Sequence, residues 1–277
     1  MKPRQPFLLP ILASKVGAAL VLIIGTLIPS TLTSQPWRGD RSGVPNWEND
    51  IAFKTDVFTF VRIKYRSYGR YWDMWRIDYP ESDLNFSFRL QEMTSLKVNP
   101  NSIYLELTDP ELFQHPFVYL IEPGELRFSQ SEVKALRKYL LGGGFMMVDD
   151  FWGEREWFNF YREIKRVFPD REPEELPLSH PIFNCVFPLD EKPQIPNVGL
   201  GMQSRYHGIT WERPDAKEVH YKGVRDDRDR LMMVICHNTD LGDGWEWEGY
   251  NEYYFREFSE KKAYPLGINI VVYALTH

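Results

Sequence analysis

From about residue 57 to the C-terminus, short apolar runs alternate with amphipathic ones, the rhythm of strands followed by helices. Residues 58–65 alternate apolar and polar side chains and predict a half-buried strand. A helix is expected after Asp78, running to about Lys97 with Ser82 or Asp83 as its cap. Residues 103–107 and 117–122 read as strands, the second bounded by Pro116 and by Pro123 and Gly124. Ser129 with Glu132 three residues on is a capping box, in which each side chain satisfies an amide orphaned at the helix start. Val133, Leu136, Tyr139 and Leu140 share a face of that helix, and it ends at Gly142. A short apolar strand then leads to Asp149 and Asp150. Trp157, Phe160, Tyr161, Ile164 and Phe168 recur at helical spacing until Pro169 closes the segment.

Beyond it, residues 172–201 are Pro-rich and irregular. Polar strands are expected around residues 209–212 and 218–224, and a buried strand over 231–236 leads into His237 and Asn238. The chain is helical from Glu252, with a break or restart near Tyr264, where Pro265 follows. Helices alternating with apolar strands predict an α/β domain whose largely parallel sheet is covered on both faces.

The first 34 residues have another character. Lys2 and Arg4 precede an apolar run over residues 7–32, broken mainly by Lys15. Its uninterrupted part, 16–28, is shorter than the roughly 20 residues of a membrane span. The layout is that of a secretory signal or a retained anchor. Either places the remainder outside the cytoplasm, periplasmic, secreted or held at the membrane through residues 7–32. Residues 35–56 read as a linker or irregular arm, ahead of one domain over 57–277.

A formal net charge of -6 removes the electrostatic footprint of a nucleic-acid binder. Two cysteines, Cys185 and Cys236, both sit in apolar surroundings; they could pair in an exported protein, although free core thiols are the plainer reading. No CxxC or Cys/His metal spacing occurs, nor a GxSxG elbow, a Walker loop or GxGxxG.

Candidate chemistry lies where apolar strands end, because α/β proteins collect ligands there. Three strands end in polar residues: Glu122, Asp149 with Asp150, and His237 with Asn238. As parallel neighbours they would share one rim, offering carboxylates and an imidazole for acid–base work or a metal ion. The competing structural account makes Asp150 a helix cap, pairs Glu122 with an arginine and bonds His237 within a loop. A second candidate is the acidic stretch 240–248, where Asp240 and Asp243 could ligate calcium; it lacks the EF-hand spacing, and a flexible acidic loop is the simpler reading. Trp152, His180 and Asn238 join Asp240 and Asp243 as candidate ligand-binding residues. Tyr71, Trp72, Trp75, Trp245 and Trp247 could form a sugar platform, or pack in the core as large rings commonly do.

Residues 108–112, 142–156, 168–173, 178–183, 192–196, 234–244 and 251–277 resemble a bacterial family, domain of unknown function 4159, over about residues 57–277. That resemblance implies a domain with no assigned activity. More distantly, Ser129 through Gly144 running into a strand, then His180-Pro181-Ile182 and the closing helix, are similar to the class I glutamine amidotransferase-like fold and its trehalose-utilisation-type branch. This implies a flavodoxin-like three-layer sandwich. Amidotransferases of that group carry a cysteine on a sharp strand–helix turn; here Asp149, Asp150 and Phe151 occupy it, so thiol chemistry does not carry over. The expectation is an extracytoplasmic domain that binds a small ligand or an envelope protein without catalysis. The alternative is a hydrolase, with or without a metal, that uses Asp149, Asp150 and His237 with Glu122. These residues specify neither a cofactor nor a metal.

Overall fold

The computed structural model describes residues 35–36, 41, 43–53, 56–67 and 73–277. The expected signal or anchor, and Tyr71 and Trp72, lie outside the described residues. The elements in chain order are β1 (Gln35–Pro36), β2 (Val61–Lys64), α1 (Glu81–Met93), β3 (Ile103–Glu106), β4 (Phe117–Ile121), α2 (Gln130–Leu141), β5 (Phe145–Asp149) and α3 (Gly153–Val167). There follow β6 (Glu174–Glu175), α4 (Val198–His207), β7 (His220–Arg225), β8 (Leu231–His237), α5 (Leu241–Glu246), α6 (Glu252–Tyr254) and α7 (Tyr264–Thr276).

These strands form one sheet in the order β1-β3-β2-β4-β5-β8-β7-β6. The central five, β3-β2-β4-β5-β8, are parallel. The edges are antiparallel: β1 on β3, and β7 and β6 beyond β8. Counted in chain order, the parallel strands lie 2-1-3-4-5, so the winding reverses between β2 and β4, where open α/β sheets form ligand crevices.

Each face of the sheet carries its own core. Phe60, Phe117, Tyr119, Phe145, Met147 and Val234 pack under α1, α5 and α7. Val61, Val118, Leu120, Met146, Val148 and Ile235 pack under α2 and α3. With both faces covered, β2 does not behave as the half-buried strand expected: Phe60, Val61, Arg62 and Ile63 are all fully buried. The capping box at Ser129 forms, and Gly142 ends α2 as its sequence predicts. By contrast α1 starts at Glu81 without a side-chain cap, because Ser82 and Asp83 turn inward to the Arg62 guanidinium. The C-terminal helix restarts at Tyr264 after a π-helical stretch, Phe255–Ala263. Residues 209–212 are not a strand; the hairpin begins at His220.

Trp75 and Trp245 are core residues, the latter 4.4 Å from the Phe86 ring, so no sugar platform forms from them. Trp247 donates its indole N–H to Asp243. Both cysteines are free; Cys236 is buried as expected, but Cys185 is exposed. No helix among the described residues is long and apolar enough to cross a membrane.

Candidate functional site

The parallel register aligns Ile121 with Asp149 and Val148 with Ile235, so β4, β5 and β8 end on one rim. At this rim the backbone repeatedly enters the left-handed region: Glu122 (φ 54°), Asp150 (φ 54°) and Asn238 (φ 63°) directly follow their strands, and Asp78 (φ 61°) precedes α1. Such conformations are uncommon without glycine and cost of order 1–3 kcal/mol each where the surroundings impose them, less for Asp and Asn. Their concentration where strands end marks this rim as the candidate site.

The side chains converge as well. One carboxylate oxygen each from Asp78, Asp150 and Asp240 lie within 4.8 Å of one another, and Asp78 forms a second such group with Asp243 and Glu246. Asp150, Asp240 and Asp243 are buried, while Asp78, Glu122, Glu212 and Glu246 are half-buried and open the cluster to solvent.

Most of these groups are held by named donors. Asp240 caps α5 by accepting from the Asp243 amide at 2.7 Å. Asp243 accepts from the Val198 amide at 2.7 Å and the Trp247 indole at 3.1 Å. Asp150 accepts from the Trp152 indole at 3.1 Å. Asp149, fully buried, accepts from the Tyr119 hydroxyl at 2.9 Å and from the Leu241 and Gly242 amides at 3.0 and 3.1 Å. Asp149 therefore anchors α5 to the sheet and supports the cluster from below.

Two carboxylate oxygens here are buried and accept no hydrogen bond, the Asp149 Oδ1 and the Asp78 Oδ2. Of the two residues, Asp78 is the one that also shares ligand distance with two other carboxylates. The Asp78 Oδ2 stands against Gly242, where a β-carbon would come within 2.4 Å of it, so only glycine leaves room. The loop that carries Asp78 is clamped by the fully buried Arg62, which donates to Asp83, to Ser82 and to the Trp75 and Ile77 carbonyls. The guanidinium that could neutralise Asp78 is thus engaged by Asp83 at 2.5 Å.

The electrostatic result is a cluster that resists ionisation. Burial, then Asp243 and Glu246, push the Asp78 carboxyl well above its usual range. Burial, Glu122 and Asp78 do the same to Asp150, and burial with Asp150 and Asp243 to Asp240. Burial raises Asp243 to about 6, Asp149 to about 7 and, with Asp243 beside it, Glu246 to about 7. Two unit charges at the outer spacing of 4.8 Å repel by about 3.5 kcal/mol at an effective dielectric of 20. Three such pairs approach the roughly 5–15 kcal/mol that stabilises a whole domain. The cluster must hold protons or a cation.

Other expected site residues fall elsewhere. The His237 ring lies on the opposite face of the sheet, stacked near Phe151, Trp157 and His220, with Nε2 at 3.2 Å from the Gly153 carbonyl. Strand alternation causes this: Cys236 faces the α7 side, so its neighbour faces α3. Burial lowers the His237 imidazole to about 4 and keeps it neutral. Asn238 accepts from the Gly153 amide and donates to the Glu218 carbonyl, tying the turn after β5 to the segment before β7. His180 sits at the other end of the sheet beside Arg225, which pairs with the beginning of β8. Trp152 is buried and reaches the cluster only through Asp150. Glu246 belongs to the acidic stretch 240–248 that the sequence offers, whereas Asp78 and Glu212 join the site without any periodic signal of their own; the one sequence hint at Asp78 is its place in a turn before a helix.

An α/β domain with a carboxylate-lined crevice at its strand ends is the class these features define. The chain belongs to the family described as Domain of unknown function (DUF4159), whose pattern matches residues 59–275. No curated protein matches the chain.

Proposed function

We propose that this domain binds a hard divalent cation, calcium or magnesium, between Asp78, Asp150 and Asp240. The single observation that carries this reading is the Asp78 carboxylate: its Oδ2 is buried without a donor, and one of its oxygens lies within 4.8 Å of oxygens from Asp150 and Asp240. Burying such a group without a partner is costly, and oxygen-rich sites of this kind suit hard cations. Asp243 and Glu246 then act as a proton-sharing pair, with the Glu246 acid donating to Asp243. The half-buried Glu122 and Glu212 line the approach. A bound cation keeps positions open to solvent for an anionic or carbonyl ligand, consistent with a ligand-binding domain on a flavodoxin-like scaffold. Export of the domain, proposed from residues 1–34, would expose it to calcium at concentrations that weak carboxylate sites detect.

A hydrolytic reading has one specific support, Asp150 at a left-handed strand–helix turn, the backbone form that presents a reactive side chain in hydrolase elbows. In that case Asp150 and the cation would activate a water, and His237 would take no part. The test is calorimetric titration of chelator-treated protein with calcium, magnesium and manganese at pH 7.5. Saturable binding that Asp78→Asn abolishes supports the proposal; no heat with any of the three removes it.

A further inference from the structure

Beside the acidic cluster lies a surface of opposite sign. The loop after β4, the start of α2 and the outer face of α3 enclose a cleft of about 930 Å³. Arg127, Arg155, Arg162 and Arg166 line it against Glu125 and Glu163, four positive groups less two negative, on a chain whose net charge is -6. Glu163 is 3% exposed and already committed: it accepts from the Phe128 amide at 3.0 Å and pairs with Arg166 and Arg162. Arg155 and Arg162 stay reachable, their side chains 62% and 55% exposed, although Arg155 pairs with Glu156 at 3.3 Å and Glu125 at 3.6 Å and Arg162 donates to Asn159 at 2.7 Å. Phe158 stands in the same cleft, 65% exposed.

Along α3, positions 155, 158, 159, 162 and 166 form one stripe over residues 155–166, a rise of about 16 Å. An extended peptide of about five residues covers that length. A lone inorganic anion would leave most of the cleft and the Phe158 ring unused. A nucleic acid carries a charge on every phosphate and would meet the net charge of -6 well beyond the cleft, whereas a short acidic segment keeps its few carboxylates among the arginines.

We propose that this cleft docks an acidic, extended peptide segment of a partner protein, with arginine forks holding its carboxylates and one of its apolar side chains packed on Phe158. Guanidinium groups match carboxylates in a two-bond geometry, and aromatic and arginine side chains dominate docking energies. The surface is separate from the carboxylate triad, so it stands whether or not a cation binds there.

The test uses fluorescein-labelled hexapeptides of four Asp or Glu residues flanking a Leu-Phe pair, measured by anisotropy with the full chain. A basic peptide of the same pattern serves as control. We expect a Kd on the order of 10–100 µM at 50 mM salt, weakening at 300 mM. Arg155→Ala with Arg162→Ala should weaken binding by about tenfold or more, and Phe158→Ser should also weaken it. All three positions are exposed, so unchanged melting temperatures exclude unfolding. Absence of binding up to millimolar peptide, or equal binding by the arginine variant, overturns the proposal. So does full competition by equimolar inorganic phosphate with no effect of Phe158→Ser, which would assign the cleft to a small anion.

Discussion

Asp240→Asn separates a cation site from a mere acid cluster, because it removes charge while preserving structure. Asp240 caps α5 through the Asp243 amide, and asparagine caps equally well. The change deletes two of the three repulsions in the Asp78–Asp150–Asp240 group, each about 3.5 kcal/mol at full ionisation. Raised carboxyl pKa values mean that protons already relieve much of that repulsion in the metal-free protein. The realised gain at pH 8 in chelator should therefore be near 2 kcal/mol, or about 4–8 °C in melting temperature. With cation the order reverses. Wild-type protein at a hundredfold excess over Kd gains about 2.7 kcal/mol, and the variant, short of one anionic ligand, gains much less. The assay is thermal melting of both proteins in chelator and in 10 mM magnesium or calcium. A variant that melts lower than wild type in chelator, together with a wild type indifferent to cation, would refute the reasoning.

Four further outcomes follow from the same geometry. Asp149, Asp243 and Glu246 carry raised carboxyl pKa values of about 7, 6 and 7, so the folded state binds more protons than the unfolded one above about pH 4. Metal-free stability should thus fall as pH rises toward and through 7. His180 and His237, both lowered to about 4, act in the opposite sense below about 6.5, so the slope is best read from urea midpoints between pH 6.5 and 8.5. A rising midpoint in chelator would contradict the cluster electrostatics. Gly242→Ala, a change that gains up to about 1 kcal/mol in an ordinary helix, should instead lower the melting temperature and weaken cation binding, because its methyl meets the Asp78 Oδ2. Higher stability with unaltered affinity would show that Asp78 has room to spare. Arg62→Met leaves Asp83 buried and unpaired and should cost about 3–5 kcal/mol in urea denaturation; a loss under about 1 kcal/mol would mean the clamp is dispensable. His237→Gln should lower stability yet leave cation titrations unchanged, and a lost cation response would return the imidazole to the site.

Local rules made much of this fold legible. Ser129 with Glu132, the apolar face of α2 and the glycine stop are interactions within a few residues, and all three occur where the sequence puts them. The rim at Glu122 and Asp150 was legible too, since strand ends in a parallel sheet are forced together by register. Side-chain direction was harder. His237 follows Cys236 by one position, and a one-residue step across a strand moves the imidazole to the opposite face from the carboxylates. His180 lies far from the rim because the chain reaches it through an irregular segment whose path no periodicity predicts. Asp78 carries no local signal for another reason: its loop is shaped by Arg62, a buried cation that the alternating pattern of β2 assigns to a solvent face. Long-range ion pairing, not local propensity, assembled the triad.

The most direct measurement is a crystal structure of the protein grown with manganese, whose anomalous scattering locates the ion. The account predicts one strong peak about 2.0–2.6 Å from oxygens of Asp78, Asp150 and Asp240. Saturating manganese with no peak there, and the three carboxyl groups hydrogen-bonded directly to one another, would contradict it.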